Sequence, residues 1–473
     1  MDSSTIKNKK IEEFKNYIKN KKVAVLGMGI SNIPLISYLA QMGVDITAFD
    51  IAEEHQLEHV IAKFSNYKFI RYSLGKNYLD NLKGFDIIFK TPKVRFDIPE
   101  LQRERERGAV VTSEMELFVD LCPAEIIGIT GSDGKTTTTT IVYNILKEEG
   151  YKCWLGGNIG TPLIDKVEEI SEGDKVVLEL SSFQLHTMKK SPNVSIITNI
   201  TPNHLDVHKS MEEYVDAKKN IFRHQNNNDI VVLNHDNEIT RKMAREARGK
   251  VRFFSRLNEV EEGTYIRDGV IYFREKGEER EIIKTDRILL PGLHNMENYL
   301  AAIAAVAHLV NSSSIDKVAY GFAGVEHRIE FVREINGIKF YNDSIGTSPT
   351  RTIASINAFK QKVILIAGGY DKKISYDIMG KVIAEKVKAL VLLGQTAPLI
   401  EKALLDEIYI SGKGADIPII KCSSLEEAVM EAFNQAVEGD IILLSPASAS
   451  FDMFKNFEER GNKFKEFVHK IRV

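Results

Sequence analysis

Apolar runs alternate along this chain with segments whose apolar positions recur every three to four residues, the pattern of strands between helices. Residues 5–20 place Ile11, Phe14 and Ile18 on one face of an amphipathic helix. Runs at 22–26, 44–49 and 86–90 then predict three strands. Further runs at 126–129, 175–180, 194–200 and 229–233 predict four more, separated by helical patterns, one of them over 214–224. Residues 265–273 and 280–283 read as a strand pair with a tight turn at Asp268-Gly269, and an alanine-rich helix starts at His294-Asn295-Met296-Glu297-Asn298. Asn336-Gly337 marks a hairpin over 334–339, and runs at 362–367, 389–393, 417–420 and 440–444 alternate with helical stretches. The chain is therefore expected to be α/β, with mostly parallel sheets and Rossmann-like units at both ends.

Composition narrows this picture. A chain of 473 residues has room for about three domains. Its 63 basic residues against 66 acidic ones argue against a nucleic-acid or anionic-membrane partner. The three cysteines, Cys122, Cys153 and Cys422, have no metal spacing and suit a reducing cytoplasm. No apolar run is long enough to span a bilayer.

The chemistry centres on Gly128-Ile129-Thr130-Gly131-Ser132-Asp133-Gly134-Lys135-Thr136-Thr137. It follows a buried-strand pattern and precedes a helical one, the setting a phosphate loop requires. Gly131 and Gly134 let backbone N–H groups approach phosphate oxygens, and the helix start adds its positive dipole end. Lys135 can reach β/γ-phosphates and Thr136 can offer a hydroxyl to magnesium. Ile129 stands where the strict motif has glycine, so a ligand-free glycine-rich turn is the competing reading. A second glycine pair, Gly27 and Gly29 after the first strand, with Asp50 about 20 residues on, resembles a dinucleotide fingerprint. Asn32 replaces its third glycine, which favours a loop for another nucleotide, or for none, over NAD.

Two strand ends carry candidate ligands: Glu179-Leu180-Ser181-Ser182-Phe183-Gln184, and Asn199-Ile200-Thr201-Pro202-Asn203-His204-Leu205-Asp206. A carboxylate suits magnesium, whereas His204 alone reads as a hydrogen-bonded loop histidine. Lys218, on the helix 214–224, alone reads as a surface lysine.

These motifs in this order resemble the Mur ligase family, ATP-dependent amide-forming enzymes of peptidoglycan precursor synthesis. The likeness extends through Leu178–Leu185, Asn342-Asp343-Ser344 with Thr347, and the long run from Leu444 to Phe464. It implies a UDP-sugar-binding Rossmann-like domain at 1–115, a central ATP-binding domain of P-loop type at 116–324, and a Rossmann-like amino-acid-binding domain at 325–473. It further implies a monomer that uses ATP and two magnesium ions to join D-glutamate to UDP-N-acetylmuramoyl-L-alanine through an acyl phosphate.

By the same resemblance Gly131, Ser132, Asp133, Gly134, Lys135, Thr136 and Thr137 hold ATP phosphates. Asn295 and Asn298 lie by adenine, Arg328 by the γ-phosphate and Asp343 by the ribose. Thr136, Glu179, His204 and a carbamylated Lys218 hold metal. Ile30, Ser31, Asp50, Thr91, Asn158 and His204 touch the UDP-substrate, and Thr347, Lys372, Ser450, Phe451 and Phe457 the amino acid. Lys135, Glu179, His204, Lys218 and Arg328 form the implied catalytic set. Asn203, Ile345 and Lys93 depart from the family pattern, where aspartate, lysine and glycine are usual, and Arg351 stands within reach of the role that Ile345 cannot fill.

Overall fold

The structure, a computed structural model, describes residues 8–202, 208–290, 292–322, 324–372 and 374–472. Among these, no helix is long and apolar enough to cross a membrane. The chain divides into two compact units. One runs through Arg287 and includes Met296–Tyr320; the other comprises Ile288–Asn295 and Gly321–Val473.

The first unit holds two sheets. The N-terminal one has the parallel order β3-β2-β1-β4-β5, from β1 (Lys22–Leu26), β2 (Asp45–Asp50), β3 (Arg71–Leu74), β4 (Ile87–Lys90) and β5 (Val110–Thr112). β3 and β5 are sheet edges of four and three residues with partly exposed faces, too short and too polar to show in the apolar pattern. The second sheet contains β6 (Glu125–Thr130), β7 (Cys153–Gly157), β8 (Lys175–Glu179), β9 (Val194–Ile197), β10 (Ile230–Asn234), β11 (Lys250–Ser255), β12 (Gly263–Arg267), β13 (Val270–Glu275) and β14 (Glu278–Lys284). Its order is β14-β13-β12-β11-β10-β9-β6-β8-β7.

The run at 265–273 is two strands joined at the expected Asp268-Gly269 turn. Asp268 and Gly269 both adopt left-handed φ, 50° and 74°, and fold the run into a hairpin that β14 extends to three antiparallel strands. One apolar core joins Ile11, Val25, Phe89 and Phe118 to Leu178 and Leu233, so the two sheets of this unit share their packing. β6 lies between β8 and β9, and the chain leaves it toward one side and later returns on the other. That reversal opens a crevice beyond the carboxyl end of β6, where open α/β sheets bind ligands.

The second unit has one six-stranded sheet, β15-β16-β20-β17-β18-β19. Its strands are β15 (Glu330–Ile335), β16 (Ile338–Asn342), β17 (Val363–Ala367), β18 (Val387–Leu393), β19 (Ile419–Cys422) and β20 (Ile441–Leu444). β15 and β16 form the expected hairpin, with Asn336 and Gly337 at φ 50° and 75°; the other pairings are parallel. β20 inserts between β16 and β17, which brings the loops after Asn342, Ala367 and Leu444 together.

Candidate active site

The phosphate loop forms at the switch point after β6. Gly131 (φ 152°) and Gly134 (φ 79°) turn the chain into the helix Lys135–Glu149. Neither tolerates a side chain. A Cβ at Gly131 would lie 1.8 Å from Thr198 Oγ1, and one at Gly134 would lie 2.3 Å from Asn298 Oδ1. Asn298 also accepts from Thr138 Oγ1 (3.2 Å), so this residue packs on the loop itself.

Two of the loop's amides are already engaged. Ser132 N–H donates to Asn199 O (2.9 Å) and Asp133 N–H to Asn199 Oδ1 (3.0 Å). The Ser132 hydroxyl is buried, donating to Thr201 O (2.9 Å) beside Tyr214 Oη (3.0 Å). Ser132 and the Asp133 amide thus brace the loop from within, and the first turn of the helix that starts at Lys135 follows directly on it. Lys135 Nζ folds back over the loop and donates to Gly131 O (3.0 Å) and Ser132 O (2.9 Å). Thr136 is half-buried and Thr137 buried on that first turn.

Two charged side chains converge on this loop from neighbouring elements. Glu179, at the carboxyl end of β8, is 1% exposed. Its Oε1 accepts from Asn158 Nδ2 (2.8 Å), while Oε2 has no hydrogen-bond partner among the described residues. A buried carboxylate oxygen left in this state suits a cation, and a hard divalent ion takes such oxygens. Asn158 thus holds that carboxylate.

Lys218, read alone as a surface lysine, is 1% exposed. Its Nζ donates to Gly131 O (2.8 Å) and Thr130 Oγ1 (3.2 Å) and lies over the Tyr214 ring. Burial, reinforced by the Lys135 ammonium, holds its amine well below the usual lysine range; Asp133 and Glu179 oppose this. His204 and Asn203 lie outside the described residues.

At the N-terminal sheet, Asp50 accepts from the Met28 and Ala52 amides (2.6 and 2.9 Å) and so braces the first glycine loop. Asn32 Nδ2 donates to Leu26 O and Gly27 O (2.9 and 3.0 Å). A third glycine could not make that tie, which explains the broken fingerprint. Ile30 is exposed, while Ser31 and Thr91 are half-buried around the same loop. Lys93 lies two residues beyond Thr91, past Pro92.

In the second unit the expected amino-acid residues gather at the joined loops. Ser450 is buried, Phe451 exposed with its ring edge-on to Tyr370 at 5.9 Å, and Phe457 half-buried against His327 at 6.0 Å. Lys372 is exposed and Thr347 half-buried. Arg328 sits between two residues with left-handed backbone, His327 (φ 64°) and Ile329 (φ 43°). Its turn is held by the Ile329 amide donating to Asp343 Oδ1 (3.3 Å). Asp343 Oδ2 accepts from Ser355 and Ser445 hydroxyls, both at 2.7 Å. Its carboxylate thus braces the Arg328 turn. Desolvation raises it to about 6 despite those hydrogen bonds. Arg351 donates to Ile345 O at 3.4 Å, and Asn295, 4% exposed, donates its amide to Gly292 O.

Sequence reasoning passed over Arg460. Its guanidinium, 2% exposed, donates to Ser344 Oγ, Ser344 O, Ala449 O and Ser448 O at 2.8–3.1 Å. It fastens the loop after β16 to the loop that carries Ser450.

A phosphate loop with a buried carboxylate and a desolvated lysine at its switch point, followed by a second Rossmann-like unit, is the arrangement of a Mur ligase. The Mur ligase middle domain matches residues 129–306, and the Mur ligase glutamate ligase domain matches 327–448. The chain belongs to this family. It is 66% identical over 466 residues to the UDP-N-acetylmuramoylalanine–D-glutamate ligase of Acetivibrio thermocellus, a match covering 98% of this chain and 100% of that one. The enzyme of the same name from Ruminiclostridium cellulolyticum is 56% identical, with the same coverage. Among solved structures, the UDP-N-acetylmuramate-alanine ligase of Thermotoga maritima aligns with a TM-score of 0.56 at 21% identity, over 95% of this chain and 99% of that one. The MurF ligase of Thermotoga maritima, solved with ADP, aligns at 0.55 and 18%, over 96% and 97%. These two likenesses extend the three-domain fold to the whole chain.

Proposed function

We propose that this chain carries out the reaction its relatives are named for, joining D-glutamate to UDP-N-acetylmuramoyl-L-alanine with ATP. The near-full-length identity to those ligases supports the substrates. The convergence of Lys135, Lys218 and Glu179 on one phosphate loop supports the chemistry.

A carboxylate is a poor acylating agent. Transfer of the γ-phosphoryl group of ATP to the substrate's terminal carboxylate makes an acyl phosphate and releases ADP. The amine of D-glutamate then attacks the acyl carbon, inorganic phosphate leaves, and the new amide nitrogen loses a proton. Phosphoryl transfer needs charge spread over the β- and γ-oxygens to be met by fixed positive groups. Lys135 supplies one, pre-placed by Gly131 O and Ser132 O. The amides at the start of its helix supply dipoles. Thr136, Glu179, His204 and a carbamylated Lys218 would hold magnesium, which supplies the remaining charge neutralisation. Lys218 suits that modification because burial favours its uncharged amine, the form that adds carbon dioxide.

In the second unit, Lys372 and the backbone around Ser450 would pair with the carboxylates of D-glutamate, with Thr347, Phe451 and Phe457 around them. Arg328, on its strained turn, would meet the γ-phosphate. Ile30, Ser31 and Thr91 would contact the UDP-sugar, and Asn295 and Asn298 the adenine.

The test is phosphate release from ATP by the full chain. Release that requires both UDP-N-acetylmuramoyl-L-alanine and D-glutamate is expected. Release that instead follows L-alanine or a diamino acid in an amino-acid panel would overturn the assignment.

A further inference from the structure

Four lysine or arginine side chains are buried among the described residues: Lys90, Lys218, Arg252 and Arg460. Three have hydrogen-bond partners. Lys218 and Arg460 donate as above, and Arg252 donates to Glu275, Ala304 O and His308. Lys90 is the exception. At 3% exposure it has no hydrogen-bond or ion-pair partner among the described residues. A buried cation without a partner costs several kcal/mol, so it persists where something else uses it.

Its place says what that is. Lys90 ends β4 and pairs in register with Leu26, the last residue before Gly27-Met28-Gly29. The next residue, Thr91, donates its amide to Leu26 O (3.0 Å) and packs its methyl where a Cβ on Gly27 would come within 2.9 Å. Lys90 therefore stands at the carboxyl edge of the N-terminal sheet, one residue from the loop expected to face the UDP-sugar.

The charged groups that act on it electrostatically are Glu116 and Arg105, and it acts in turn on His186. Glu116 is committed elsewhere, accepting from Thr187 Oγ1 (2.6 Å) and Ser113 Oγ (3.3 Å). Arg105 donates to Phe96 O (2.6 Å). Desolvation brings the Lys90 ammonium down to about 8, with Glu116 opposing and Arg105 reinforcing the shift. It is therefore still mostly charged at neutral pH.

We propose that Lys90 is a substrate-binding residue whose ammonium takes an anionic oxygen of the UDP-sugar substrate, a diphosphate or a carboxylate. This rests on the reading of the N-terminal sheet as the UDP-sugar site. A diphosphate or carboxylate supplies what the fold withholds: a charge-assisted acceptor in a low-dielectric setting.

The test compares Lys90→Met with the unaltered chain. The KM for UDP-N-acetylmuramoyl-L-alanine should rise about ten- to a hundredfold, while those for ATP and D-glutamate stay within about twofold. Direct titration with UDP separates the sources. A matching loss of UDP affinity assigns the diphosphate; a loss seen only with the full substrate assigns the carboxylate. Unchanged affinity for both overturns the proposal. If Lys90→Met does not fold, Lys90→Gln is measured in its place: the same rise in the KM for the UDP-sugar with those for ATP and D-glutamate held is expected, and an unchanged KM overturns the proposal. Failure of the unaltered chain to bind the UDP-sugar at all would instead defeat the reading of the sheet.

Discussion

Replacing Gly131 with alanine tests the phosphate loop by two separable effects. The first is backbone: φ 152° is a conformation L-residues rarely adopt, costing about 1–3 kcal/mol. The second is steric. The new methyl would meet Thr198 Oγ1 at 1.8 Å, and Thr198 cannot swing away freely because that hydroxyl donates to Asp133 O (2.6 Å). Overpacking of this kind costs about 1–3 kcal/mol. Gly131→Ala should therefore lose about 4 kcal/mol, roughly half of it owed to Thr198. Thr198→Ala alone should lose about 1 kcal/mol, the worth of one hydrogen bond. The double variant should lose about 2 kcal/mol less than the sum of the two. Urea unfolding read by Trp154, the chain's one tryptophan, on β7 in the same sheet, measures all three. Additivity within about 0.5 kcal/mol would show that Thr198 is not what forbids a side chain there.

Lys135→Ala should abolish phosphate release while leaving UDP-substrate affinity largely intact; equal loss of both would mark the loop as structural. Labelled bicarbonate should give a carbamate carbon signal at neutral to alkaline pH that Lys218→Ala removes. Arg460→Met strands the carbonyls of Ser344, Ser448 and Ala449, so it should cost about 3–5 kcal/mol and raise the KM for D-glutamate far more than that for ATP. Asp343 contributes a pH dependence. Its folded value, about 6, exceeds the ordinary 3.8, so its contribution is present at low pH and is lost as pH rises from about 4 to 6. The loss is at most about 3 kcal/mol, and melting curves of Asp343→Asn over that range should lack this slope.

How much of this was legible in the sequence depended on the range of the interaction. The phosphate loop, Glu179 and the two Asn/Asp-Gly turns are local patterns, and their residues lie where spacing placed them. The short edge strands β3 and β5 carry too few apolar residues to announce themselves. The bracing of the loop by Thr198, Asn199 and Thr201 joins residues 65–69 positions apart, and no local pattern encodes it. The placing of the Asp343 carboxylate is likewise fixed by Ser445, 102 residues away.

One long-range signal was nevertheless present in the periodicity. Lys218 stands in the stripe Tyr214, Ala217, Lys218, Ile221, Phe222, all buried, at the spacing of one helix face. Arg460 occupies the same kind of stripe with Gly461, Phe464 and Val468. Lys90 closes the fully buried strand Ile87-Ile88-Phe89-Lys90. In each case the period assigns a cation to the interior. A charge there persists only if carbonyls, a modification or a ligand takes it up. Lys218 and Arg460 have carbonyls on which loops of the active site are built. By the same reasoning Lys90, which has no hydrogen-bonded or ion-paired acceptor among the described residues, calls for one from a ligand, and an exposed lysine at that position would have called for none.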